Sequence, residues 1–405
     1  MRLATIILFF FISMDCSAGG WIQKADFGGV ARHRTTLLTI GNKIYTGLGH
    51  YNGAGPNIIF DDWWEYDPAT NSWSQKADYL GGICYHATGF TMNDIGYVGT
   101  GRISPTGSTL VQNFYKYDAV TNTWVEITSY PGVGRRGAVA FVIGDYAYVG
   151  SGESAFGVVS SFYRFDPSNE TWSPTASLPV ARTSSVAFSI DNFGYVGTGD
   201  TDPGSTNDFW QYNPSSDTWT SKAPVGPMER REAMGFALNG KGYLGTGGNG
   251  TISSLGDMWE YTPSTDTWVQ IEDFQGTARR YFTATTLNGV AYACLGTNGT
   301  NFKDLWLFDQ SLSIVEQVLN ELSIVAYPNP TSDYLNFEVD WPEEIDHNSI
   351  HLDILDLNGK VVFTSNWTEL AEINTKSWNA GTYMYYIRYK EQIVRSDKLI
   401  IQKEL

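Results

Sequence analysis

The sequence predicts an all-β chain, a six-bladed β-propeller followed by a small β-sandwich, and two observations predict it. Trp21, Trp73, Trp124, Trp172, Trp219 and Trp268 recur at intervals of roughly fifty residues, and self-similarity at such a period marks a repeat architecture. The repeat stops after Asp309, and residues 324–405 carry a different pattern of alternating strands punctuated by Asn-Gly and Pro.

The elements of one repeat follow in order. A first apolar strand ends in a tight turn such as Gly41-Asn42 or Asn239-Gly240, residue types that tolerate the positive φ of hairpin loops. The second strand closes on glycines, as at Tyr97 to Gly101 and Tyr195 to Gly199, where paired glycines indicate close backbone approach or positive φ. In the last repeat Cys294 replaces the first of them. An alternating aromatic stretch, such as Trp64-Glu-Tyr66, Tyr163-Arg-Phe165 or Trp259-Glu-Tyr261, has the period-two pattern of a half-buried third strand. The fourth begins at the tryptophan, after turns such as Asp67-Pro-Ala-Thr-Asn-Ser72 whose composition chain reversal alone explains.

A four-stranded blade cannot bury both faces alone, so blades close radially. The glycines, the aromatic strand and the tryptophan, in register in six units over roughly residues 19 to 310, resemble kelch repeats. The resemblance implies a six-bladed kelch-type β-propeller. The sixth unit has a third strand at Trp306 to Asp309 but no following Trp, whereas Trp21-Ile-Gln-Lys-Ala-Asp26 matches Trp73-Ser-Gln-Lys-Ala-Asp78. The N-terminal strand is therefore expected to complete the last blade and remove its exposed edge.

Residues 1–18 read as a signal peptide cleaved near Ala18: Arg2, an apolar run from Leu3 to Met14 too short to span a bilayer, then Cys16-Ser17-Ala18. A lipoprotein anchored through Cys16 is the rival, disfavoured by Asp15 where a small residue belongs. Cys84 and Cys294 then fall in blades two and six, separated by blade one, so buried free thiols are expected rather than a disulfide. A net charge of −17 argues against non-specific binding to nucleic acid or anionic membranes, and no long apolar stretch follows the signal. Residues 311–323 are expected to be a linker.

In the last segment, Val325-Ala-Tyr-Pro-Asn-Pro330, Asn358-Gly-Lys360, Gly381-Thr-Tyr383 and Lys398-Leu-Ile-Ile401 occur in that order at the C-terminus. These blocks resemble the sorting domain of type IX secretion substrates in Bacteroidota. The resemblance implies a small Ig-like β-sandwich over 324–405, the type IX machinery as a partner, and a secreted or outer-surface location.

In an up-and-down blade the loop entering the first strand and the loop between the second and third strands share one face, where a site is expected. Thirteen residues before each second-strand tyrosine stand Arg32, Cys84, Arg135, Arg182, Arg230 and Arg279. Such arginines can brace neighbouring blades through carbonyls and carboxylates, as the kelch resemblance implies, or bind a ligand. Arg34, Arg136, Arg231 and Arg280 exceed the repeat's needs and require acidic neighbours or an anionic ligand to compensate them. These nine arginines, with Glu153, Glu232 and Tyr281, are the candidate ligand-binding residues.

His33, His50 and His86 fall in adjacent blades, but no short motif joins them into a metal site, and neither metal nor cofactor is expected. Galactose-oxidase-like copper chemistry needs a Cys–Tyr cross-link. Cys84 and Tyr85 are adjacent on a strand and point to opposite faces, and six blades depart from that family. Sialic-acid mutarotases are a closer six-bladed comparison, because ring-opening by proton transfer needs a carboxylate such as Glu153 or Glu232 beside anion-binding arginines. The leading expectation is an exported propeller that recognises a protein, peptide or carbohydrate on its loop-rich face, with no catalytic residue assigned. The alternative is a carbohydrate-active enzyme on the same scaffold.

Overall fold

The computed structural model describes residues 20–53, 55, 57–104, 109–310, 324–339, 346–369, 372–389 and 392–403. The expected signal peptide and linker lie outside the described residues. The chain divides into two units at Asp309/Gln310, described separately below.

Six four-stranded antiparallel sheets make up the first unit. Blade 1 comprises Thr36–Ile40, Lys43–Gly47, Trp63–Asp67 and Ser72–Lys76, and blades 2 to 5 repeat that order from first strands at Thr88–Met92, Val139–Ile143, Val186–Ile190 and Met234–Leu238. Blade 6 takes Thr283–Leu287, Val290–Cys294 and Leu305–Asp309 from one end of the unit and Gly20–Lys24 from the other. Trp21 pairs with Phe308 and Gln23 with Trp306 in that closing register. Each first strand touches those of both neighbouring blades, and blade 6 touches blade 1, so the ring is complete.

The blades are held by what lies between them. Apolar residues of adjacent blades form a buried cluster at each junction, such as Phe90, Tyr97 and Phe114 of blade 2 with Ala147, Val149 and Phe165 of blade 3. At the seam between blades 5 and 6, Trp21 is buried against Phe274, Phe282 and Phe308. The turns before the tryptophans do more than reverse the chain. Asn71, Asn122, Asp217 and Asp266 stand there at positive φ, and the side-chain oxygen of each accepts from a tyrosine of its own blade and a backbone N–H of the preceding outer strand or its continuation. The tryptophan that follows donates its indole N–H to the same neighbouring segment, 3.0 Å to Ala25, Ala77, Thr128, Ala176 or Ala223. A turn that chain reversal alone was expected to explain is also a latch between blades.

Cys84 and Cys294 are free and buried, and burial pushes both thiols up to about 12. The second unit is a two-sheet sandwich. One sheet runs Val361–Asn366, Ile350–Asp356, Gly381–Tyr389 and Gln392–Ile401, and the other Val325–Tyr327, Tyr334–Glu338 and Ile373–Asn374. Period-two alternation in Gly381–Tyr389 buries Tyr383, Tyr385, Ile387 and Tyr389 with Leu335, Ile354 and Leu399.

Because Trp21 closes the ring through packing, Trp21→Ala is expected to destabilise the propeller by about 3 to 5 kcal/mol, read as a fall in the melting temperature of the intact chain. A truncation that removes Gly20–Lys24 is expected to lower it further, since it also exposes the edge of Leu305–Asp309.

Candidate functional site

The five repeat arginines are built into the frame. Arg32, Arg135, Arg182, Arg230 and Arg279 are 0–1 % exposed. Four of them fork onto the aspartate preceding the third strand: Arg32 onto Asp62, Arg182 onto Asp208 at 2.5 and 2.6 Å, Arg230 onto Asp257 at 3.0 and 2.5 Å, and Arg279 onto Asp304 at 2.5 and 2.8 Å. Each also donates to a carbonyl at the end of its second strand, such as Leu48 at 3.1 Å or Thr198 at 3.0 Å. Arg135 donates to the equivalent Ser151 carbonyl at 2.9 Å and, where the aspartate would stand, to the Ser161 hydroxyl at 3.1 Å. Blade 2 carries Cys84 in place of the arginine and Asn113 in place of the aspartate, so cation and anion are absent together. With their forks filled by protein, these five hold the scaffold and are not free to meet a ligand.

The next two positions of each repeat make the mouth. The first of them forms an antiparallel bridge to the residue after the second-strand glycines: His33 to His50, Tyr85 to Arg102, Arg136 to Glu153, Thr183 to Asp200, Arg231 to Gly248 and Arg280 to Thr297. This bridging brings the two loop families together on one face. The second position, Arg34, His86, Gly137, Ser184, Glu232 or Tyr281, has φ between 54° and 60° in all six blades. At five of the six junctions its N–H donates to the carbonyl of the same position in the preceding blade, at 2.8–3.1 Å. At the sixth, Arg34 and Tyr281 meet through their side chains, the guanidinium 4.3 Å from the ring centroid.

These six residues ring a cavity of about 170 Å³ at the head of the channel. Below it the wall is small and weakly polar, with Leu37, Gly89, Ala140, Ala187, Gly235 and Ala284 in one layer.

One side of the ring carries a continuous polar chain. Arg34 Nη2 donates to the Tyr281 hydroxyl at 2.7 Å, and that hydroxyl donates to Glu232 Oε1. The Glu232 side chain is only 10 % exposed, with Arg280 Nη1 3.5 Å from Oε2 and Arg231 Nε 4.0 Å from Oε1. Burial above all, then the Glu232 charge opposed by Arg34, pushes the Tyr281 phenol up, so it stays a proton donor. The remaining candidates are paired elsewhere: Arg136 Nη2 lies 2.8 Å from Glu153, and Arg231 Nη1 2.5 Å from Asp200. Acidic neighbours thus compensate three of the four surplus arginines, whereas among the described residues Arg34 hydrogen-bonds no carboxylate and meets His33 Nε2 at 2.9 Å, His50 Nδ1 at 3.4 Å and the Tyr281 hydroxyl.

The histidines, set aside as a metal site, converge here for another reason. His33 and His86 lie 5.4 and 5.1 Å from the Tyr281 ring, and His50 stacks on Tyr85 at 5.0 Å. Among the described residues no group of His, Cys, Asp or Glu is placed to hold a metal ion. Burial first, then the Arg34 charge, lowers His33 to about 3 and His50 to about 4, with Arg102 adding to the latter. The same causes, with Arg136, hold His86 well below the ordinary range, so all three are neutral near pH 7. Reading by repeat position would have found these three together with Tyr85, Arg102 and Asp200, because each occupies one of the three slots that face the mouth.

A neutral buried histidine binds its proton more readily in the unfolded chain. Stability is therefore whole above the ordinary histidine value of 6.5 and is lost as pH falls toward about 4 and about 3. The melting temperature is expected to decline through that window, and His50→Gln to make the decline shallower.

Comparison with known proteins agrees with the propeller fold and the C-terminal domain. Residues 137–319 match the family model described as KLHDC2/KLHL20/DRC7 Kelch-repeats domain, and residues 325–402 match the Secretion system C-terminal sorting domain. N-acetylneuraminate epimerase of Salmonella typhi is 24 % identical over 196 residues, 39 % of this chain and 50 % of that protein. N-acetylneuraminate epimerase of Yersinia enterocolitica serotype O:8 / biotype 1B is 30 % identical over 69 residues, 16 % of this chain and 18 % of its own. The chain thus spans at most about half the length of these curated relatives. The solved structure titled "Structure of YjhT" superposes with a TM-score of 0.59 at 18 % identity, covering 70 % of this chain and 96 % of that one, a likeness of fold. The sorting domain implies secretion or display at the outer surface and involvement of the secretion machinery. The chain is a kelch-repeat β-propeller protein carrying a C-terminal sorting domain of the type IX kind.

Proposed function

We propose that the mouth of this exported propeller binds a small carboxylate-bearing sugar of the sialic-acid class and opens and recloses its ring, interconverting the anomers. The observation that carries this reading is the chain Arg34–Tyr281–Glu232: a cation with no carboxylate partner among the described residues, a phenol and a buried carboxylate within one ring of residues. A carboxylate buried on one side of the mouth suits chemistry better than a broad exposed ring does, which shifts the weight from recognition alone toward the enzyme. The relatives named N-acetylneuraminate epimerase support the substrate class.

In this reading Arg34 takes the sugar carboxylate in a charge-assisted pair. Glu232 accepts the proton of the anomeric hydroxyl as the ring C–O bond breaks, and the ring oxygen takes a proton from water at the open mouth. The open-chain ketone turns about its C–C bond, and the steps run in reverse on its other face. Tyr281 fixes the Glu232 carboxylate through its hydroxyl, and Arg280 offsets the charge that burial disfavours. Glu153, committed to both Arg136 Nε and Nη2, is the poorer base.

A recognition role without turnover is the second reading. It is favoured by apolar side chains exposed on the mouth face, among them Val30, Ile83, Val133 and Phe156, the last 91 % exposed.

Polarimetry or NMR of freshly dissolved N-acetylneuraminate separates the two. The parent is expected to speed approach to anomeric equilibrium, and Glu232→Gln to cut that rate by roughly 10² to 10⁴ while the sugar still binds. Binding with no acceleration by the parent leaves recognition alone. Arg34→Ala is expected to weaken sugar binding by about tenfold or more, and added salt to weaken it as well. For export, truncation after Gln310 is expected to leave a folded propeller in the periplasm of a host with type IX machinery, checked by fractionation. Surface or medium levels equal to those of the full chain would contradict it.

A further inference from the structure

Charge at the mouth is unevenly spread. Arg136, Arg231 and Arg280 have Glu153, Asp200 and Glu232 beside them. Arg34 and Arg102 have no carboxylate partner among the described residues, and both lie over the same ring, 5.9 and 5.7 Å from the Tyr85 centroid. The loop that carries the second of them, Arg102 to Gln112, contains no acidic residue. His50, stacked on the same Tyr85 ring, is neutral near pH 7 and adds no further positive charge.

Three polar atoms of this cluster, Arg34 Nε, Arg102 Nε and His50 Nε2, are buried with no hydrogen-bond partner among the described residues. Buried donors left unmade are costly, and two guanidiniums flanking one ring repel. Arg102 also lies outside the Arg34–Tyr281–Glu232 chain, because its strand bridges run to Tyr85 and Leu110 of blade 2. A single carboxylate on Arg34 would leave Arg102 unmatched.

We propose that Arg102, Tyr85 and His50 form a second anion subsite between blades 1 and 2, adjoining Arg34, so that the preferred ligand is an acidic oligosaccharide whose second sugar places its own carboxylate on Arg102. This rests on the reading of the mouth as an acidic-sugar site and adds to it the length and charge of the ligand. The first sugar lies with its carboxylate at Arg34 and its anomeric carbon toward Glu232, across the ring from the subsite.

Equilibrium binding of N-acetylneuraminate and of its two-residue oligomer to the full chain tests it. The two-residue sugar is expected to bind the parent about tenfold more tightly than the single sugar, one charge-assisted pair's worth. Arg102→Gln is expected to erase that gain while leaving the single sugar within about twofold of the parent. Arg102→Lys, which keeps the charge, should retain most of the gain, and thermal melting of both variants shows whether the fold is kept. Equal affinity of the parent for the two sugars, or the same change in Arg102→Gln for both, overturns the subsite while leaving the acidic-sugar reading intact. If neither sugar binds the parent, that reading fails and the subsite with it.

Discussion

One residue per blade, held at positive φ where the first strand begins, sets the geometry on which the mouth depends. A left-handed backbone costs a non-glycine residue about 1 to 2 kcal/mol, yet five of the six positions, Arg34, His86, Ser184, Glu232 and Tyr281, are not glycine. The conformation recurs because it aims the N–H at the carbonyl of the preceding blade at five of the six junctions, and the Arg34–Tyr281 side-chain pair spans the sixth. It also places five side chains and Gly137 on one small circumference, whatever their chemistry. A propeller built this way separates holding from doing. The buried Arg–Asp forks two residues earlier in the repeat hold the loops still, and the ring position can then vary without loss of the frame.

That separation explains why two adjacent arginines behave so differently. Arg230 is fully buried against Asp257, and removing one partner of such a pair leaves a buried charge uncompensated. Arg231, its chain neighbour, points to the mouth and reaches Asp200 of the previous blade with its side chain 30 % exposed, where solvent screening makes the pair weaker. Strand alternation decides the matter, because consecutive side chains face opposite ways. The same alternation sends Arg279 inward to Asp304 and Arg280 toward Glu232.

How much of this was legible in the sequence follows from which constraints repeat. The blades, their strand order and the seam at Trp21 were written in period-fifty repetition, because each unit must satisfy the same packing and turn rules. The latching role of Asn71 and its equivalents was not, since a turn residue's partner across a blade junction leaves no mark within the turn itself. At the mouth, counting from the second-strand tyrosine located the arginines but not their partners. Glu153 and Asp200 come from the other loop family, 17 residues from Arg136 and 31 from Arg231, and only the folded ring shows which acid meets which base. The histidines escaped for a related reason: their meaning lies in shared ring position, not in spacing along the chain.

The resulting mouth is polarised. Blades 5 and 6 supply the acid, the phenol and an arginine already matched to a carboxylate, whereas blades 1 and 2 supply two unmatched guanidiniums set among histidines that burial keeps neutral. In a chain with a net charge of −17 such a cationic sector is a local exception, and long-range attraction does not bring an anion to it. Selection must instead come from short contacts: fixed donors around a cavity of about 170 Å³. A rigid ring of this kind suits a ligand that is small where it enters and charged where it rests, and it places the acid of blade 5 opposite the charges that would hold such a ligand.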